Sequence, residues 1–190
     1  MKTLWIDRSI AYDGSQLRSL YAYLEHRVLG DSIIAFEGPC DVAFEHMIDG
    51  EDLLERSAIR GGRMLHFLVE KFHASLLAGV ALQRLLAALA LDVLREAARS
   101  DVARSEMRRE GDDVFWREAK FSVSIATVSP ISTLIHFAVN VTNAGTPVAT
   151  CSLVDDFGLT APAFAEALLA RFADEVRSID EATTKVRCAP

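Results

Sequence analysis

Cysteine is scarce in this chain: Cys40, Cys151 and Cys188 are its three thiols, and no two of them stand in a C-x-x-C pair. That spacing, without a secretory context, excludes a disulfide framework and a thiolate zinc site, and suits reduced thiols in a cytoplasm. Linkers and repeats are lacking too. No stretch is rich enough in Pro, Gly or Ser to separate domains and no segment recurs at a fixed period, so a single domain over residues 1–190 is expected. Positive charge is in deficit, with a formal net charge of −7, which argues against general nucleic-acid binding through phosphate neutralisation. Lysine is rarer than arginine and limited to Lys2, Lys71, Lys120 and Lys185. The longest apolar run, Leu76 to Leu91, is interrupted by Gln83-Arg84 and followed by Asp92 and Arg95. It reads as a buried helix and not as a membrane span. No two histidines have zinc-protease spacing, and Asp112-Asp113 and Asp155-Asp156 fall in turns, so no metal site is expected.

What is present is apolar material: 51% of the residues, enough for a well-formed core. Met1 to Asp7 reads as a first strand, too soon charged for a signal peptide. After the turn chemistry of Tyr12-Asp13-Gly14-Ser15-Gln16, the spacing of Leu17, Leu20, Tyr21, Leu24 and Val28 predicts a helix ended by Gly30-Asp31. Ser32 to Phe36 is a short strand closed by Gly38-Pro39, and Asp49 to Arg56 a short helix with early acids and a late arginine. Met64 to Val69 fits a strand or a helix start. From Ser75, an N-cap residue, a long Ala- and Leu-rich helix runs to about Arg99. Val102 to Arg109 and Asp113 to Arg117 are strands about a hairpin signal at Glu110-Gly111-Asp112. Lys120 to Ala126 and Leu134 to Val141 alternate as half-covered strands, and Asn143 to Pro147 turns the chain. Thr160 can cap a last helix, with Pro162 in its first turn and Phe164, Leu168, Phe172 and Val176 as its buried stripe. The pattern is an α+β fold: a mostly antiparallel central sheet with a long buried helix and flanking helices.

Polar side chains gather on the two alternating strands. Lys120, Ser122 and Ser124 fall on one face by period two, as do His136 and Asn140 on the next strand. They face either solvent or a lined cleft. In a cleft, the Lys120 ammonium can meet a carboxylate, a phosphoryl group or a developing oxyanion. Val123 and Ile125 then turn to the long helix, and Lys120, His136 and Asn140 converge on one pocket. Tyr12, Asp13, Ser15, Gln16 and Arg18 bring five hydrogen-bonding side chains to a strand-to-helix junction, which suits either a capped turn or an anion site. His26, His46 and His73 fit surface or capping roles.

Lys120-Phe121-Ser122-Val123-Ser124-Ile125, followed by His136-Phe137-Ala138-Val139-Asn140-Val141, resembles the paired strands of lipoyl and biotinyl transfer enzymes. The resemblance implies that Lys120 contacts an acyl carbonyl or an acyl-adenylate phosphate. Arg60-Gly61-Gly62 with His66 resembles the Arg-Gly-Gly segment and nearby histidine of lipoate ligases, implying a backbone that lies along the acyl chain and nucleotide. Val123 and Phe137 depart from the small residues usual there. Cys151 follows the His and Asn strand as the nucleophile of octanoyltransferases does, without their Pro-Cys-Gly setting. The resemblance makes it a candidate thiolate activated by Lys120, beside its reading as an inert buried thiol. Tyr12 to Arg18, Gly30-Asp31-Ser32 with Gly38-Pro39-Cys40-Asp41, and Ser122 to Val141 together resemble, over the whole length, domain of unknown function family 366. That resemblance implies the class II synthetase and biotin-lipoate ligase type of fold. Thr160 to Pro190 has no glycine-rich stretch ending in arginine, which disfavours a complete aminoacyl-tRNA synthetase.

These residues support an acyl or aminoacyl transfer or adenylate-binding enzyme with a lysine-anchored pocket. The alternative is a non-catalytic binding or scaffold protein that keeps the fold, which the departures at Val123 and Phe137 favour. The expected partner is a small molecule, with no membrane and no general nucleic acid. ATP is the one cofactor the resemblance brings into view, its use left open, and a homodimer is left open likewise.

Overall fold

The computed structural model describes residues 1–57, 59–97, 104–145 and 149–187. In chain order the elements are β1 Lys2–Ile6, α1 Tyr21–His26, β2 Ser32–Asp41, a 3-10 turn Phe44–His46, α2 Gly50–Glu55, β3 Arg60–Phe72 and α3 Leu76–Ala97. They continue with β4 Met107–Glu110, β5 Asp113–Trp116, β6 Ala119–Lys120, β7 Ser122–Val128, β8 Ser132–Asn140 and α4 Ala161–Thr184.

The main sheet has the order β1-β2-β3-β8-β7, and β4-β5-β6 form a smaller one. β1 and β2 run parallel and every other neighbouring pair is antiparallel. Period-two side chains divide the main sheet into two faces. Leu65, Phe67 and Val69 of β3 and Ile135, Phe137 and Val139 of β8 join Leu86, Ala90 and Leu94 of α3 and Phe164, Leu168, Phe172 and Val176 of α4 in one core. Each such Leu or Phe removed from water contributes about 1.5–3 kcal/mol. The alternate residues Met64, Leu68, Leu134 and Ala138 face the other way and pack with Tyr12, Leu17, Ile34 and Phe36. The helix side of the sheet is therefore closed by α3 and α4, while its other side is covered by loops and short helices.

α3 is long and apolar enough to cross a membrane, yet it buries Leu82, Leu86, Ala87, Ala90, Leu91 and Leu94 in the helix-side core. Ser75 caps it, its Oγ accepting from the Ala78 N–H at 3.2 Å. Asp49 caps α2 in the same way, accepting from the N–H groups of Glu51 and Asp52. Thr160 precedes α4 without a side-chain cap, although the stripe of four behaves as its spacing predicts.

Several boundaries differ from the sequence expectations. Residues 15–20 are turns and not helix, and Leu24 is 64% exposed. The physical reason is that Tyr12 pairs with Cys40 of β2, and the Leu20 N–H is held by both Glu70 carboxylate oxygens at 3.0 Å, so helical bonding begins only at Tyr21. β2 continues through Gly38-Pro39, because a register shift between Gly38 and Cys40 absorbs the proline that cannot donate to the ladder. Met64 to Val69 is strand, inside β3. The expected single strand from Lys120 is broken at Phe121. Its N–H bonds Val114 at 2.8 Å, its carbonyl accepts from Asn140 at 3.1 Å, and its ring enters the helix-side core. Of the strand expected from Val102 to Arg109 only Met107 onward is strand, Arg104 and Ser105 being helical; Val102 and Ala103, the end of the turn at Pro147, and Cys188 lie outside the described residues.

Candidate functional site

The open face of the main sheet carries a cavity of about 520 Å³. Its floor is Met64, Val123, Ile125, His136 and Asn140, its near wall Tyr12, Gly14 and Leu17, and its cover Val42, His46 to Asp49, the acidic face of α2, and Ile59-Arg60. Asp112, Asp113 and Lys120 close the end beside the small sheet. The cover is pinned to the near wall by His46, whose Nδ1 lies 3.0 Å from the Asp13 carbonyl. Gly14, at φ 93°, leaves room for that approach, since a Cβ there would stand 2.7 Å from Cβ of His46.

Lys120, His136 and Asn140 therefore line one cavity. The Lys120 Nζ donates to Asp113 Oδ2 at 2.9 Å, and both side chains are about one-third exposed, at 34% and 29%. Asn140 is consumed by the backbone. Its Nδ2 shares its two hydrogens among the carbonyls of Lys120, Phe121 and Cys151 at 3.3, 3.2 and 3.3 Å, tying the strand break to the segment that follows β8. Asn140 thus holds the backbone that presents Lys120.

His136 belongs to a stack. The Tyr12 ring lies 3.8 Å from the His136 ring and 5.1 Å from that of His66, centre to centre. His66 Nδ1 is 3.0 Å from His136 Nε2, and His66 Nε2 is 3.2 Å from the Gly38 carbonyl. Burial pushes His66 down to about 4 and His136 well below its ordinary value, the latter assisted by repulsion from His66, so both rings are neutral. A carbonyl can only accept, so Nε2 of His66 carries its proton and Nδ1 is bare. Nε2 of His136 must then donate, which leaves His136 Nδ1 as an acceptor with no hydrogen-bond partner among the described residues. Burial likewise raises the Tyr12 phenol.

The serines are placed otherwise than period two from Lys120 predicts. The break at Phe121 turns Ser122 and Ser124 toward the helix side and Val123 and Ile125 toward the cleft. Ser122 Oγ accepts from the Val114 N–H at 2.9 Å, while Ser124 Oγ donates to Asp112 at 2.7 Å and accepts from Gln83 of α3 at 2.7 Å. Both reach the cavity at the sheet edge with their hydroxyls already committed.

Arg60 lines the cavity while paired with Asp41 at 2.9 Å, whereas Gly61 and Gly62 do not line it. A Cβ on Gly62 would meet the Ala144 carbonyl at 2.7 Å, so that glycine serves a close backbone approach. Asp13, Ser15 and Gln16 bond one another and the Ala11 carbonyl as a capped turn, and Arg18 pairs with Glu25 at 2.8 Å. His66 stands behind His136, fully buried. Cys151 lies in the helix-side core and not in the cavity. Burial pushes its thiol up to about 12, which opposes the thiolate a nucleophile requires.

Sequence reading missed the carboxylates. Asp52 and Asp113 are both raised, chiefly by burial, with Lys120 opposing the shift in each. The recurrence of acids at 49, 52 and 55, three apart and so on one face of α2, was the available signal.

Residues 1–187 match the family described as Domain of unknown function (DUF366). The chain belongs to this family. An uncharacterized protein of Methanocaldococcus jannaschii is 27% identical over 164 residues, 84% of this chain and 72% of that one. A solved protein of unknown function from Pyrococcus horikoshi superposes with a TM-score of 0.91 at 35% identity, over 100% of this chain and 99% of that one. The biotin protein ligase of Aquifex aeolicus, solved with biotin and ATP, has a TM-score of 0.61 at 12% identity, over 95% of this chain and 72% of the ligase. The fold is thus that of the biotin and lipoate ligases, and at that identity the likeness concerns the fold alone.

Proposed function

We propose that this chain is an enzyme of small-molecule acyl or aminoacyl transfer, acting on a carboxylic acid or its adenylate in the cavity above the main sheet. The observation that carries the reading is the convergence of Lys120, His136 and Asn140 on one cavity of about 520 Å³, within the usual ~300–1,000 Å³ range of small-molecule sites. The ligase-type fold supports it. In this reading the Lys120 ammonium, held in place by Asp113, shifts to the carboxylate or phosphoryl oxygens of the ligand, and Asn140 keeps its backbone in register. Partly dry surroundings strengthen that attraction relative to water.

Thermal shift and native mass spectrometry against ATP, acyl-adenylate analogues, lipoate, octanoate, biotin and the amino acids test the proposal. A stabilising carboxylic acid, lost in a folded Lys120→Ala variant, is the expected result. No shift with any of them counts against it. The second reading, a binding or scaffold protein without catalysis, is favoured by the Lys120–Asp113 pair and the core position of Cys151. It predicts that Lys120→Ala leaves the chain's cellular role intact.

A further inference from the structure

The charge around the cavity narrows the class of acid. Asp49, Glu51, Asp52, Glu55, Asp112 and Asp113 line it, against the two permanent cations Lys120 and Arg60. Arg60 is engaged by Asp41 outside this set, and Asp112 is satisfied by Ser124 and Gln83. The Asp52 side chain has no hydrogen-bond or ion-pair partner among the described residues. When Lys120 turns to a ligand carboxylate, Asp113 loses its ion-pair partner as well. Among the described residues no group of three or more His, Cys, Asp or Glu side chains is gathered as a metal site would need, so these acids are not built as a cage. An independent feature points the same way. His136, 4% exposed and lining the cavity, keeps a bare Nδ1 that can only accept a hydrogen bond.

We infer, resting on the transfer-enzyme reading above, that the substrate is an amino-acid-like zwitterion. Its carboxylate meets Lys120, its ammonium is received among Asp52, Asp113 and His136 Nδ1, and its apolar side chain lies over Val123 and Ile125. A free amino acid carries one anion for the lysine and one three-donor cation for the acceptors, so the cation that Asp113 gives up with Lys120 is replaced by the ligand's own ammonium. Biotin, lipoate and octanoate carry the carboxylate as their one charged group. They would draw Lys120 away from Asp113 and give the acids no cation in return.

Isothermal titration of the full chain with each apolar L-amino acid, its N-acetyl derivative and octanoate decides the matter. The free amino acid should bind at least about tenfold more tightly than its N-acetyl form and than octanoate, because acetylation removes the cation but keeps the carboxylate. Asp52→Asn, at a half-exposed helix position, should weaken the free amino acid by about tenfold and leave the N-acetyl form unchanged. Octanoate or an N-acetyl form binding as tightly as the free amino acid overturns the inference while leaving the transfer reading standing. Amino acids that bind without supporting ATP–pyrophosphate exchange or acyl transfer sustain the inference and count against the transfer reading. Failure of every acid to bind overturns both.

Discussion

His136 Nε2 lies 3.0 Å from Nδ1 of His66, and the proton between them belongs to His136 because the Gly38 carbonyl claims the other His66 nitrogen. A backbone oxygen in β2 therefore sets the tautomer of a ring that lines the cavity two strands away. The arrangement is buried and uncharged, so it is sensitive both to protonation and to loss of one partner.

The first expectation concerns pH. His66 has its folded value depressed to about 4 from 6.5, so below about pH 6.5 the unfolded chain takes up a proton that the folded chain refuses. Stability present above pH 6.5 is lost as the pH falls toward 4, by about 3 kcal/mol from this ring. His136 acts in the same direction. Urea titrations between pH 7 and 4.5 should give a shallower decline for His66→Gln, whose amide can serve both His136 and Gly38. An identical decline in the two proteins would refute the buried neutral pair.

Asn140→Ala removes an amide that bonds three carbonyls and leaves them buried without that donor. A loss of about 1–3 kcal/mol is expected in urea unfolding. Weaker ligand binding should accompany it, because the Lys120 backbone loses one of its ties while keeping those to Ala149 and Cys151. Unchanged stability would mean that the strand break at Phe121 is fixed without Asn140.

Gly79 offers a test of sign. Replacing a helical glycine by alanine ordinarily stabilises, by up to about 0.8–1 kcal/mol in a helix interior, and Gly79 stands in the first turn of α3. Here the new Cβ would stand 2.2 Å from Thr133 Cγ2, and Thr133 is itself fixed by hydrogen bonds to the Ala74 and Ser75 carbonyls at 3.1 and 3.0 Å. Gly79→Ala should therefore lower the melting temperature. Adding Thr133→Ser, which deletes that methyl group and keeps the hydroxyl, should restore it.

Cys40 and Cys151 should resist alkylation. Burial pushes both thiols up to about 12, so little thiolate exists at pH 8. Peptide mapping after brief iodoacetamide treatment should find both residues unmodified in the folded chain and modified in urea. Cys151→Ala should retain ligand binding; a loss of transfer activity with the fold intact would return Cys151 to the reacting centre.

Much of the architecture was legible because it depends on local spacing. The four-residue stripe of Phe164, Leu168, Phe172 and Val176 fixes the buried face of α4, and the alternation of Leu134 to Asn140 fixes which residues of β8 face the helices. The candidate site was legible in part, since Lys120, His136 and Asn140 stand out as polar residues in strand-like surroundings. The serines were assigned to the wrong face because period two holds only along an unbroken strand, and the break at Phe121 arises from contacts with Val114 and Asn140 that no local pattern contains.

By itself the sequence determined most of the element types, which residues of β8 face the helices and the resemblance to a ligase-type fold, all of which follow from periodicity and short motifs. Only the tertiary structure decided what shares a cavity. Asp52 comes from α2, Asp113 from β5 and His136 from β8, and each is ordinary in its own segment. Their chemistry arises from shared burial, which raises the acids, holds the histidines neutral and sets Lys120 between opposing claims. Desolvation and mutual charge act through space, and so cannot be read along the chain.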